Sequence, residues 1–298
     1  MQGGFLLETV LPFSLFIIMF GMGLSLTGKD FARVALYPKA VMVGLLAQLI
    51  LLPILGFCVA VIFHLEPLLA VGLMVLSCCP SGPTSNMYSY LFHGDVALSV
   101  TLTALISIIK PFTLPFLAYY SMVYFMGEGK AINLPILKTI LQLFAITVLP
   151  VVLGMSVKRW APKFALGFEK PIKYFSMIIL FLIIAGIVRQ NWENMIGFFV
   201  LSGAAALTMN CLCISVGFLL GILLRLSRPQ AITIAFELGI QNGTTALLVT
   251  GTILMVPTMT IVPITYSLLM FLTALIFGLI MVKRNRDAGA ADLSETLS

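Results

Sequence analysis

Residues 235–249 read AFELGIQNGTTALLV. One carboxylate (Glu237), two carboxamides (Gln241, Asn242) and two hydroxyls (Thr244, Thr245) stand between flanks that read as helix in lipid. An ionised carboxylate in hydrocarbon is very costly, so Glu237 has to be protonated, paired or bound to cations. Gly239 and Gly243 bracket Ile240, Gln241 and Asn242, and glycine lets a chain leave helical angles. The stretch therefore predicts a membrane helix interrupted at a polar centre.

A second interruption lies at residues 77–86, SCCPSGPTSN. Pro80 and Pro83 lack the amide donor that a continuous helix needs, their rings clash with the preceding turn, and Gly82 sits between them. Backbone groups freed in this way cannot face lipid. They need a cavity, an ion or polar neighbours. Two interrupted helices in corresponding halves of a chain predict inverted repeats around a central site, the arrangement of a secondary transporter.

The rest of the chain sets the class. Over 298 residues, 60% are hydrophobic and 9% charged, with a mean hydropathy of +1.12; this is more apolar side chain than a soluble core can hide. The apolar runs are of helix length, about 20 residues or more, and do not alternate as barrel strands do. The expectation is an all-α integral membrane protein with nine transmembrane helices, at 5–26, 37–63, 67–91, 96–126, 133–156, 172–189, 195–224, 229–253 and 258–282. The first segment reads as a retained span: no basic residue precedes it, Glu8 comes early and no small-residue cleavage site follows.

The net charge of +6 is explained by topology. With the N-terminus outside and the C-terminus cytoplasmic, the inner links and tail hold thirteen of the seventeen basic residues, against Lys130, Lys138 and Arg189 outside. The expected location is the plasma membrane, the inner membrane if the cell is bacterial. That distribution removes the reason to invoke nucleic acid, and nothing calls for a required protein partner beside the lipid bilayer. The five cysteines lie in apolar segments without metal-ligand spacing to His64 or His93. The chain carries no nucleotide-binding fingerprint, zinc-hydrolase motif or nucleophile elbow, so neither an enzyme nor an organic cofactor is expected.

Polar residues elsewhere are candidates for the same centre. Ser85 and Asn86 flank the first break, and Ser99 and Thr103 lie four residues apart on one helical face; serine and threonine also commonly satisfy helix carbonyls or allow close packing. Gln48, within VGLLAQLILLP (43–53), needs a partner or serves to fasten helices. Gln241 lies one turn beyond Glu237, and the carbonyls of Leu238 and Ile240 become available if the helix opens. Hard oxygen ligands of this kind suit sodium. Lys110, before Pro111 and seven residues past Thr103, could attract an anionic substrate, neutralise a carboxylate, replace a cation or snorkel.

Four stretches carry a resemblance: FIIMFGMGLSL (16–26), PKAVMVGLLAQLILLP (38–53), CCPSGPTSNMYSYLFHGDVALSVTLT (78–103) and ELGIQNGTTAL (237–247). They resemble the bile acid:sodium symporter (BASS) family in its nine-span form, over nearly the whole chain. The resemblance implies a panel domain (4–26 and 133–190), a core transport domain (34–126 and 195–282) with the two broken helices crossing inside it, and a flexible cytoplasmic tail (283–298). It also implies two sodium ions as co-substrates, one with Ser85, Asn86, Ser99, Thr103 and Glu237, the other with Gln48, Glu237, Gln241 and the backbone of Leu238 and Ile240. A small organic anion would approach Pro83, Thr84 and Asn242, with Lys110 as a further candidate. Ser81 and Pro83 depart from the usual glycine-glycine-threonine run, Phe271–Leu272 replaces a polar His-Asn pair, and Ile106 and Lys110 stand where small uncharged residues are usual. The function expected is sodium-coupled import of an organic anion by alternating access. The alternatives are proton-coupled or single-sodium transport with coupling altered at Lys110, and a membrane ligand sensor that does not transport.

Overall fold

Prolines set out much of the architecture. In the computed structural model, which describes residues 9–130, 132, 134–168 and 195–296 with scattered positions between 171 and 189, Pro38, Pro67 and Pro83 each stand in the first turn of a helix, where a missing amide costs nothing. The helices are α1 (Leu11–Ser25), α2 (Gly28–Leu36), α3 (Pro38–Ile62), α4 (Pro67–Ser77), α5 (Pro83–Leu91), α6 (Val96–Met126), α7 (Ile136–Trp160), α8 (Met195–Leu223), α9 (Arg228–Gly239), α10 (Gly243–Ile253) and α11 (Ile261–Thr296). Among the described residues there is no strand, only one isolated antiparallel bridge, Ser81 to Gln241.

Two interior prolines widen their helices instead of breaking them. Pro53 and Pro150 each follow a π turn, Ala47–Leu51 in α3 and Phe144–Val148 in α7. A proline cannot donate to the carbonyl four residues back and its ring crowds it, so the preceding turn loosens. In α3 that loosened turn holds Gln48, fully buried.

The expectation of nine transmembrane helices, and with it the nine-span form, is corrected by this architecture. Among the described residues five helices are long and apolar enough to cross a membrane: Pro38–Ile62, Val96–Met126, Ile136–Trp160, Ser202–Leu223 and Pro257–Arg284. A sixth results if α1 and α2, bent by 76°, are taken as one. The reason lies in the interruptions. The predicted third and eighth spans are split into halves, and Pro67–Ser77 and Gly243–Ile253 are too short to cross alone. The predicted sixth span, 172–189, lies outside the described residues but for scattered positions.

Close helix contacts rest on glycine. A Cβ on Gly23 would strike the Val151 carbonyl of α7, and one on Gly154 would strike that of Phe20, so α1 and α7 meet backbone to backbone. A Cβ on Gly221 would meet Ala231, which sets α8 against α9. Without a hydrophobic force between helices in lipid, small residues that let backbones approach supply the packing. Aromatic rings fasten the other side: Phe236 of α9 lies 5.6 Å from Tyr88, 5.8 Å from Phe92 and 5.4 Å from Phe277, centroid to centroid. These are edge-on or tilted pairs of the favourable kind.

Candidate functional site: the crossing of the two broken helices

The breaks between α4 and α5 and between α9 and α10 meet in antiparallel fashion. Gly82 N donates to Ile240 O at 3.2 Å, and Asn242 N donates to Pro80 O at 2.9 Å. Backbone groups released by one break thus satisfy groups released by the other, which removes part of the cost of opening both.

Glu237, on the last turns of α9, lies fully buried beside this crossing. Its Oε1 accepts from Ser85 at 2.6 Å, Ser99 at 2.6 Å and Thr103 at 3.1 Å. Its Oε2 accepts from Ser81 at 2.6 Å, Gln48 Nε2 at 3.0 Å and Thr103 at 3.2 Å. Asn86 Oδ1 lies 2.7 Å from the Ser99 hydroxyl and 3.2 Å from that of Thr103. The predicted first set, Ser85, Asn86, Ser99, Thr103 and Glu237, is therefore brought together in one cluster.

That cluster is rich in oxygen. Each hydroxyl carries one proton. Ser85 faces both Glu237 and the Gly82 carbonyl, at 2.8 Å. Ser99 faces Glu237 and Asn86, while Thr103 faces both of these and the Ser99 carbonyl at 2.9 Å. The two main-chain carbonyls also take backbone amides, Gly82 O from Ser85 N at 2.9 Å and Ser99 O within α6, so the hydroxyl protons remain for Glu237 and Asn86. A hard cation is suited to such a gathering of oxygens.

The second predicted set is short of donors. Gln48 Nε2 is spent on Glu237, and Gln241 Nε2 donates to the carbonyls of Leu238 at 2.8 Å and Glu237 at 3.3 Å. The oxygens of both carboxamides, Gln48 Oε1 and Gln241 Oε1, are buried without a hydrogen-bond partner among the described residues. The Ile240 carbonyl accepts from Gly82 N, so of the two predicted backbone ligands it is engaged in the crossing.

Beside the crossing opens a cavity of about 450 Å³. Pro83, Thr84, Asn86 and Met87 line it from α5 and its approach, and Gln241, Asn242 and Thr244 from the second break. Ser267, Met270 and Phe271 of α11 and Ile18, Gly21 and Met22 of α1 close it. None of its lining side chains is charged. Of the predicted substrate contacts, Pro83, Thr84 and Asn242 line the cavity and Lys110 does not. Asn242 caps α10 by accepting from Thr245 N at 3.1 Å, which leaves Nδ2 without a partner in the described structure, as is the Ser267 hydroxyl. Both are free donors at the cavity wall.

Some residues here escaped the sequence reading. Ser81, in sequence only a departure from the family pattern, is a donor to Glu237. Asn210 and Tyr266, whose side chains donate to the Gly239 carbonyl at 2.7 and 2.9 Å, had not been singled out. Asn210 carried the same signal as Gln48, a carboxamide in the middle of an apolar helix.

Comparison with known proteins identifies the family. The pattern of the sodium bile acid symporter family matches residues 12–198. An uncharacterized sodium-dependent transporter of Bacillus subtilis (strain 168) is 30% identical over 228 residues, 76% of this chain and 69% of that protein. The human ileal sodium/bile acid cotransporter is 30% identical over 240 residues, 79% of this chain and 67% of its own length. A probable chloroplastic sodium/metabolite cotransporter of rice is 35% identical over 147 residues, which are 49% of this chain but 34% of the rice protein; the chain thus spans a smaller part of that plant relative. On the family match and these relatives together, the chain belongs to the sodium bile acid symporter family, whose members are sodium-coupled transporters of small solutes and not enzymes.

Proposed function

We propose that the chain imports a small organic anion together with sodium by alternating access. The observation that carries this reading is the cluster of oxygens around Glu237, where Ser85, Ser99, Thr103 and Asn86 gather and Gln48 and Gln241 present buried oxygens without a partner among the described residues. Sodium bound there would satisfy those oxygens and hold the two breaks in the geometry that forms the adjoining cavity wall. The substrate would meet Thr84 and the free donors of Asn242 and Ser267, with an apolar body against Met22, Met87 and Met270.

Coupling follows if the ion and the anion favour the same arrangement of the breaks, because a ligand shifts an equilibrium only by its preference between states. Movement of a core (34–126 and 195–282) against a panel (4–26 and 133–190) would then change which side the cavity opens to. The backbone contact of α1 with α7 supports grouping these two in one body. With the N-terminus outside and the C-terminus cytoplasmic, as the basic residues favour, each net positive charge carried inward gains about 2.3 kcal/mol per 100 mV of membrane potential.

The test is uptake into proteoliposomes of a panel of organic anions, with sodium and proton gradients imposed independently. Accumulation that requires an inward sodium gradient supports the proposal. Uptake driven by a pH gradient alone would replace it with proton coupling, and a ligand that binds but never crosses under any gradient would leave a membrane sensor.

A further inference from the structure

Among the described residues, Lys110 and Glu237 are the charged side chains that are fully buried. The reading above uses only the second. Lys110 projects from α6 to the end of α4, where Nζ donates to the Ser77 carbonyl at 3.2 Å and also to that of Cys79. The last carbonyls of a helix have no amide to meet them and together carry about half a negative charge, so an ammonium is well placed there.

The equivalent end in the other broken helix is treated differently. The carbonyl of Gly239, which ends α9, accepts from two neutral groups, the Asn210 amide and the Tyr266 hydroxyl. One crossing helix is thus capped by a charge and its counterpart by dipoles. Two paths lead from the charge toward Glu237. Along α6, Lys110 follows Thr103 by seven residues on nearly the same face, and helical side chains lean back toward the N-terminus, here toward Thr103. Along the first break, Cys79 precedes by two residues Ser81, whose hydroxyl donates to Glu237 at 2.6 Å.

We infer that Lys110 is a tethered cation that takes the place of one transported sodium. Its ammonium brings to the first break the positive charge that a mobile ion would otherwise supply. Glu237 offers one negative charge, and a sodium on the hydroxyl side would share it with the ammonium and with a sodium on the carboxamide side. Like charges ~10 Å apart in a protein interior weaken one another's binding on the order of tenfold. The chain therefore binds a single sodium, at Gln48, Glu237 and Gln241, where the carboxamide oxygens lack any donor. This rests on the sodium-coupled reading, and its test is built so that the two fail separately.

The experiment counts radioactive sodium bound per purified full-length chain, with potassium as the control ion. The wild type should bind one sodium without cooperativity. Lys110→Gln, which keeps a donor for the Ser77 and Cys79 carbonyls but removes the charge, should gain a second sodium or tighten the first on the order of tenfold. Lys110→Arg should keep the single ion. Two sodium ions on the wild type overturn the inference and leave sodium coupling intact, and so does a folded Lys110→Gln protein with unchanged count and affinity. If no sodium binds to the wild type, sodium coupling itself fails and the inference with it. The wild-type count decides the matter even if the variants do not insert.

Discussion

The two broken helices face the same physical problem and meet it with different chemistry. Between α4 and α5 the chain is interrupted by Pro80, Gly82 and Pro83, and the exposed end of α4 is met by the ammonium of Lys110. Between α9 and α10 no proline is present; Gly239 and Gly243 permit the break, and the end of α9 is met by Asn210 and Tyr266. The first break supplies hydroxyls, the second supplies the carboxylate. The difference teaches that interrupting a helix in a membrane does not by itself make an ion site. What sets the second break apart is that it brings the carboxylate and, in Gln241, one of the two buried carboxamide oxygens that lack a donor among the described residues.

The largest expected effect comes from removing the charge that the second break contributes. Glu237→Gln replaces one acceptor oxygen with an amide facing hydroxyls, and several charge-assisted hydrogen bonds of about 1.5–3 kcal/mol are lost or weakened. Apparent sodium affinity in uptake titrations should fall on the order of a hundredfold or more, while the protein still inserts. Unchanged affinity in a folded variant would show that the second break is not the ion's anchor. Gln241→Ala should cost less, roughly tenfold in sodium affinity, since it removes one unpartnered oxygen and the donor to the Leu238 carbonyl. An effect as large as that of Glu237→Gln would mean that the carboxamide, not the carboxylate, dominates.

The smallest effect is expected at the neutral cap. Tyr266→Phe removes one of two donors to the Gly239 carbonyl and leaves Asn210 in place, so thermal unfolding should report a loss of about 1 kcal/mol with sodium affinity nearly unchanged. Set beside Lys110→Gln, this separates capping from charge. If both substitutions alter sodium binding alike, the two ends are equivalent and the contrast drawn between them is wrong.

The sequence was most legible where local chemistry decides structure. Pro80, Gly82 and Pro83 announced the first break, and the helix predicted at 96–126 runs from Val96 to Met126 with Pro111 and Pro115 inside it. The hydroxyls and carboxamides assembled around Glu237 were likewise readable, since polar groups in lipid must seek one another. The span count was not. Apolar content measures how much of a segment prefers lipid, and it says nothing of whether the backbone is continuous, so each broken helix was counted as a crossing. Contacts between distant segments were also hidden: neither the reach of Lys110 to the end of α4 nor the meeting of Tyr266 with Gly239 leaves a trace in spacing.

The paired amides at the crossing have a mechanical consequence. Because Gly82 and Asn242 each donate across to the opposite break, the two interruptions are stitched together, and neither can unwind further without exposing polar backbone of the other. A stitched crossing travels as a unit. The cavity wall contributed by α1 is of another kind, for Ile18, Gly21 and Met22 line it without a hydrogen-bonding side chain, and apolar contacts reform after sliding at little cost. If the cavity is to open by turns to either side, the seam that gives way is the greasy one along α1, and the stitched crossing is the piece that is carried.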